Sequence, residues 1–212
     1  MTTGRRTPAQ VWNEMERGNA RFVSGEPRHP RQDVDRRAEL AGSQAPHAAL
    51  FGCSDSRLAA EIIFDKGLGD LFVVRNAGQV ISDSVVGSLE YAVAVLRVPL
   101  ILVLGHDECG AVRAAMDSVR PDATPLPPHI RAIVNQILPA VQRVRVSAGT
   151  TTLDEIDPLE VGRQHLRDTV GALLSASELI SEEVAAGTLA IVGANYKLLE
   201  GRVERDVAVG TI

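Results

Sequence analysis

The sequence predicts an α/β protein: a central, mostly parallel β-sheet flanked by helices, with an antiparallel edge strand at the C-terminus and an N-terminal helical arm. Three observations predict it. Four short runs, Ala48–Gly52, Leu71–Val74, Leu100–Leu104 and Leu189–Val192, are apolar throughout rather than alternating, which suits parallel strands buried on both faces. Segments with helical apolar spacing lie between them, an order that implies right-handed crossovers. The tail, Asn195 to Val207, holds two strand-like pieces around Glu200-Gly201, a hairpin turn.

The elements follow in order. Thr7-Pro8-Ala9-Gln10 reads as an N-cap, a proline at the first helical position and a capping-box glutamine. Val11, Trp12, Met15 and Phe22 form the apolar stripe of this helix, and Gly25 ends it. Pro27 to Arg31 is an exposed connection, and Asp33 to Leu40 a short helix closed by Gly42. Val86, Leu89, Val93 and Leu96 repeat at helical spacing, as do Ile130, Ile133, Ile137, Val141 and Val144. A helix opens at Gly110 and runs over Ala111–Val119, and one long helix is expected over Leu159–Ala186, ending at Gly187. The loops Arg120–Pro128 and Ser147–Asp157 are expected to be the most flexible. The chain is expected to form a single domain, 1–212, with the arm at about 7–42.

Composition removes several classes of function. With 212 residues, 45% of them apolar, the chain can bury a core without staples. A formal net charge of −5 argues against a nucleic-acid binder. Arg5 and Arg6 are followed by no apolar stretch, and no run reaches the ~18 residues that span a bilayer. Two cysteines do not make a disulfide framework. The expectation is a cytoplasmic chain with reduced thiols and no membrane or nucleic-acid partner. Gly67-x-Gly69 lacks a third glycine and precedes a strand, so a nicotinamide or nucleotide site is not expected.

Both cysteines fall where predicted strands end. Cys53-Ser54-Asp55-Ser56-Arg57 follows the first strand and His106-Asp107-Glu108-Cys109 the third. Ligands of open parallel sheets bind beyond the carboxyl ends of the strands, so two thiols and an imidazole share one rim. Cysteine after a buried strand is often only a small core residue. Two such motifs, with a carboxylate and an arginine beside the first, point instead to a metal. Cys53, His106 and Cys109 are three good zinc ligands, and three protein ligands leave a fourth position for water or for Asp55, the catalytic pattern. A Cys–His nucleophile would leave the second cysteine unexplained.

These residues resemble the β-class carbonic anhydrases. The likeness rests on Cys-Ser-Asp-Ser-Arg (53–57) with Gly-His-Asp-Glu-Cys-Gly (105–110). It extends to Gly42 and Gln44, Gly69–Asn76, Gly87–Ala92 and Gly193–Tyr196. The resemblance implies one Zn2+ per chain on Cys53, His106 and Cys109, with Asp55 and Arg57 as the catalytic dyad. Asp55 is either a zinc ligand, which closes the site, or paired to Arg57, which leaves zinc open to water. Gln44 fits the open subgroup. Leu50 stands where the other subgroup has a tryptophan, so a second, regulatory bicarbonate site is not expected.

The resemblance implies reversible hydration of carbon dioxide to bicarbonate and a proton, with hydroxide supplied by zinc and oriented by the dyad. Gln44 and the N–H of Gly110 would bind the nascent anion. Phe72, Ala77 and Tyr91 match the apolar substrate pocket, some of it supplied by a neighbouring subunit; periodicity alone gives Phe72 and Tyr91 as core. The N-terminal helix would lie across a partner, giving a homodimer or a homotetramer. Two thiolates cancel the charge of zinc, so activity is expected to rise through pH 7 to 8. The competing readings are a non-catalytic zinc or bicarbonate-binding module, and an enzyme for a related heterocumulene such as carbon disulfide. His29, His47, His129 and His165 are read as surface or satisfied histidines, and Asp107 and Glu108 as solvated or supporting groups.

Overall fold

A computed structural model of the chain describes residues 6–150 and 152–212. Met1–Arg5, including the Arg5 read above, and Thr151 of the 147–157 loop lie outside the described residues. Five strands form one sheet: β1 (Ala48–Cys53), β2 (Leu71–Asn76), β3 (Leu100–His106), β4 (Ala190–Lys197) and β5 (Arg202–Val209), in the order β2-β1-β3-β4-β5. The first four neighbours pair in parallel, and β5 closes the edge antiparallel to β4. Gly201 turns this hairpin with φ 68°. β4 runs further than its apolar core foretells, through Asn195 and Tyr196, because both its edges are paired.

Strand alternation divides the core in two. Ala48, Leu50, Leu100, Leu102, Leu104, Ala190, Val192 and Ala194 face one side. There they meet α1 (Pro8–Ser24), α3 (Ala60–Ile63), α5 (Gly110–Asp117) and α6 (Pro128–Ser147). Ala49, Phe51, Ile101, Val103 and Ile191 face the other side, against α4 (Asp83–Ala94), α7 (Pro158–Ala176) and α8 (Glu178–Ala185). Helices on both faces explain the unbroken apolarity of β1, β3 and β4.

α1 has the capping box and the left-handed Gly25 that its sequence foretells. Its stripe, however, is covered by its own chain: Val11, Trp12 and Met15 are buried in the core shared with α3. The stripe therefore does not by itself require a partner. Asn19 fastens the helix, donating to the carbonyls of Ile63 and Gly201 and accepting from Val203 N–H. α2 (Val34–Glu39) is capped by Asp33 and ends at Leu40, so Gly42 lies beyond it rather than closing it.

The single long helix expected over 159–186 is two helices. Ser177 adopts extended φ/ψ (−132°, 108°), closing α7 and capping α8 through its hydroxyl on Ile180 N–H. The same hydroxyl donates to Glu90 Oε1 of α4 at 2.6 Å. Among the described residues no helix is long and apolar enough to cross a membrane.

Candidate metal centre

Connections diverge at β1 and β3: the chain leaves β1 toward β2 on one side and leaves β3 toward β4 on the other. That makes their shared carboxyl rim the switch point of the sheet. Gly52 pairs with Leu104, so Cys53 and His106 emerge together there. Cys109 arrives as the N-cap of α5. The two Sγ atoms and a ring nitrogen of His106 all lie within 4.8 Å of one another, and all three residues are buried.

The trio fits a zinc ion on its own chemistry. Bond lengths of ~2.3 Å to sulfur and ~2.0 Å to nitrogen set tetrahedral ligand atoms about 3.6–3.8 Å apart, inside this envelope. His106 Nδ1 lies 2.7 Å from the Asp107 carbonyl oxygen. A carbonyl only accepts, so the proton sits on Nδ1 and the lone pair on Nε2. That Nε2 is buried with no hydrogen-bond partner. An orphaned imidazole lone pair beside two sulfurs, its other nitrogen fixed by a backbone carbonyl, is how metal-binding histidines are held.

The two thiols are shifted in opposite directions. Cys53 is pulled down to about 4, first by the hydrogen bond from Cys109, against burial, and further by the N–H groups of Gly78 and Asp55. Cys109 is pushed up, first because it donates to Cys53, and then by its own burial; Val112 and Ala111 N–H pull the other way. A dication is the partner that would let both ionise.

Asp55 stands at the mouth of this cluster. Arg57 holds its carboxylate in a fork, Nε to Oδ1 at 2.8 Å and Nη2 to Oδ2 at 2.7 Å, and adds its own N–H to Oδ1 at 3.0 Å. The Arg57 hydrogen bonds keep the carboxyl far below the usual carboxylate range. Asp55 Oδ2 is 4.0 Å from His106 Nε2. In this arrangement the carboxylate is paired to arginine and lies outside the Cys–His–Cys trio.

Of the other residues named from sequence, Ala77 and Gly110 come to the same rim. Ala77 opens the 3-10 turn Ala77–Gln79 after β2, and Gly110 is the first residue of α5, with open space where a Cβ would stand. The remaining three do not come there. Gln44 is exposed ahead of the amino end of β1. Phe72 pairs with Ala49, four rungs or about 13 Å from Cys53. Tyr91 is exposed on α4, its ring 6.1 Å from that of Phe72.

Sequence reasoning missed two supports, Arg75 and Gly78, and left open which role Asp107 takes. Arg75 reaches from β2 to the carbonyls of Cys53 (3.0 Å) and Asp55 (2.6 Å), bracing the ligand loop. Gly78 donates its N–H to Cys53 Sγ at 3.4 Å. Asp107 Oδ1 accepts Leu198 N–H at 2.9 Å, tying the His106 loop to the hairpin. A charge ending an apolar run and a glycine just after a strand were the only signals available.

A buried Cys–His–Cys cluster that could hold a metal ion, at the switch point of a doubly covered parallel sheet, points to an α/β enzyme. Residues 48–203 match the family model described as carbonic anhydrase. The chain is 49% identical to "Carbonic anhydrase 2" of Mycobacterium tuberculosis over 97% of its length and 96% of the relative's. It is also 49% identical, over the same shares, to the carbonic anhydrase of Mycolicibacterium smegmatis. Among solved structures, the Coccomyxa β-carbonic anhydrase in complex with acetazolamide superimposes with a TM-score of 0.68 at 27% identity, covering 79% of this chain and 75% of that one. A tetrameric β-carbonic anhydrase of Sordaria macrospora shares the fold, with a TM-score of 0.71 at 24% identity over 82% and 87% of the two chains. The chain belongs to the β-carbonic anhydrase family of enzymes.

Proposed function

We propose that this chain catalyses the reversible hydration of carbon dioxide to bicarbonate and a proton, with one zinc ion held by Cys53, His106 and Cys109. The observation that carries the reading is the orphaned Nε2 of His106 between two sulfurs, with Asp55 forked to Arg57 beside it. Bound there, zinc would supply Lewis acidity, making water a nucleophile near neutral pH. Asp55, kept ionised by Arg57, is an acceptor only. It accepts the hydrogen of the attacking water and turns a lone pair toward the substrate carbon. Arg57, anchored also on the Glu108 carbonyl at 3.2 Å, keeps that carboxylate from swinging inward. The N–H of Gly110 at the start of α5 favours the anion that forms.

Phe72 and Tyr91 complete the apolar pocket from a second copy of the chain, and Gln44 of that copy donates its amide to the nascent bicarbonate. Their position away from the metal rim of their own chain supports a homodimer, and a pair of dimers would give a homotetramer. The unit is one domain, 1–212, and a reducing cytoplasmic compartment suits its two free cysteines. Stopped-flow hydration with metal analysis tests the reading. Wild-type protein is expected to carry one zinc per chain and accelerate hydration; Asp55→Ala should keep the metal and lose at least tenfold in kcat/KM. Metal-free wild type that does not speed hydration would refute it.

A further inference from the structure

The turn Ala77–Gln79 touches the metal centre on one side and α7 on the other. Gly78 N–H reaches Cys53 Sγ at 3.4 Å. On the far side, His165 Nε2 lies 2.7 Å from the Gly78 carbonyl oxygen. The carbonyl only accepts, so the imidazole donates through Nε2. Its Nδ1 is buried with no partner, and the residue is 3% exposed. Burial pushes its pKa down, which favours the neutral ring. One turn along α7, Thr169 Oγ1 donates to His165 O at 2.8 Å and lies 3.4 Å from Gln79 O.

We infer that His165 is a positioning residue for the metal centre: it pins the Gly78 turn so that Gly78 N–H stays on the Cys53 sulfur. The inference rests on the zinc reading above. Gly78 sits at φ 75°, ψ 14° in a three-residue turn whose two ends Asn76 ties together, its side chain accepting Val80 N–H at 3.0 Å and donating to Val80 O at 2.7 Å; that clamp bonds neither the N–H nor the carbonyl of Gly78. Glycine has the freest backbone of all residues, so with the ends of the turn clamped by Asn76 the direction of the Gly78 carbonyl is set by its own partner, His165. The imidazole does so from a position where an apolar side chain would bury without an orphaned nitrogen. What it secures is a hydrogen bond to a ligand sulfur, and such supports tune how strongly a ligand donates to its metal.

A merely structural histidine would change stability and leave the metal unaffected. The test replaces zinc by Co2+ in the wild type and in His165→Leu and His165→Gln. It reads the thiolate-to-cobalt charge-transfer band and the rate of metal transfer to a chelator. His165→Leu is expected to shift the band and release metal about tenfold faster. Glutamine carries an amide N–H at the reach of Nε2, so His165→Gln should return both toward wild type. If the leucine variant does not fold, His165→Asn replaces it. Its amide stops at the position of Nδ1, short of the carbonyl, and it should behave like leucine. Equal spectra and release rates for wild type and leucine, or for asparagine and glutamine, overturn the inference alone. A wild type that takes up neither metal overturns the zinc reading and this inference together.

Discussion

Gly78 and Asp70 show how much rests on single residues. A Cβ on Gly78 would stand 2.8 Å from Ala111 Cβ and 3.1 Å from Ile137 Cδ1, at a positive φ that side chains resist. Gly78→Ala is expected to cost about 1–2 kcal/mol for the backbone alone and to weaken metal retention, read by thermal melting and zinc content. Asp70 is fully buried at the amino end of the sheet. Burial opposes its ionisation, but the Arg31 guanidinium and Gly67 N–H outweigh this and hold its carboxyl below the ordinary value. A depressed folded pKa contributes stability above the unfolded value of about 3.9, lost as pH falls through the folded one. The urea midpoint should therefore be flat from neutral pH to about 5 and fall below about 4. Asp70→Asn should lose roughly 1–3 kcal/mol at neutral pH and flatten that acid limb. On the proposed function, hydration activity is expected to rise through pH 7 to 8, because two thiolate ligands would cancel the charge of zinc. A pH–rate profile already at its plateau below pH 6.5 would contradict it.

Among the elements, α7, α8 and α1 are placed by contacts their own spacing does not contain. Ser177 ends one helix and begins the next because its hydroxyl serves both Ile180 N–H and the Glu90 carboxylate. Ser177→Ala removes the cap and leaves Glu90 without its donor. The expected loss is about 1–2 kcal/mol, measured as a lower urea midpoint with hydration activity retained. α1 lies so close to α3 that a Cβ on Gly18 would come within 1.9 Å of the Phe64 carbonyl oxygen. That atom is backbone and cannot swing aside. Gly18→Ala is therefore expected to destabilise the chain despite alanine's better helix propensity, with a lowered melting temperature as the readout.

At the scale of the whole molecule, the sheet is covered on both faces but open along β2, whose residues are half-buried where those of β1 and β3 are buried. Tyr91 and Val95 of the adjoining α4 segment are exposed. A second copy of the chain along this side would cover them and bring Phe72 and Tyr91 to another metal rim. Sedimentation is expected to give at least twice the chain mass. Tyr91→Asp should shift the protein toward monomer and cut hydration while leaving zinc content unchanged. A wild-type monomer with full activity would exclude the shared pocket.

The four parallel strands, the antiparallel edge strand, the capped start of α1 and the meeting of Cys53, His106 and Cys109 at one rim were legible from residue order alone. Each is encoded locally: a strand buried on both faces must be apolar throughout, a cap is a matter of neighbouring residues, and the residues of a site follow strand ends. Three-dimensional packing decided the rest. Ser177 breaks a helix through Glu90, and His165, which its spacing presents as one more helical histidine, reaches Gly78; both bonds span 87 residues. The stripe of α1 found its cover in its own chain, and Asp55 settled on Arg57, two residues away, rather than within the Cys–His–Cys trio. Periodicity reports which side of an element is buried, because that depends on the element's own geometry. It does not report what buries it or which polar partner it meets, because those are set by segments far away in the chain.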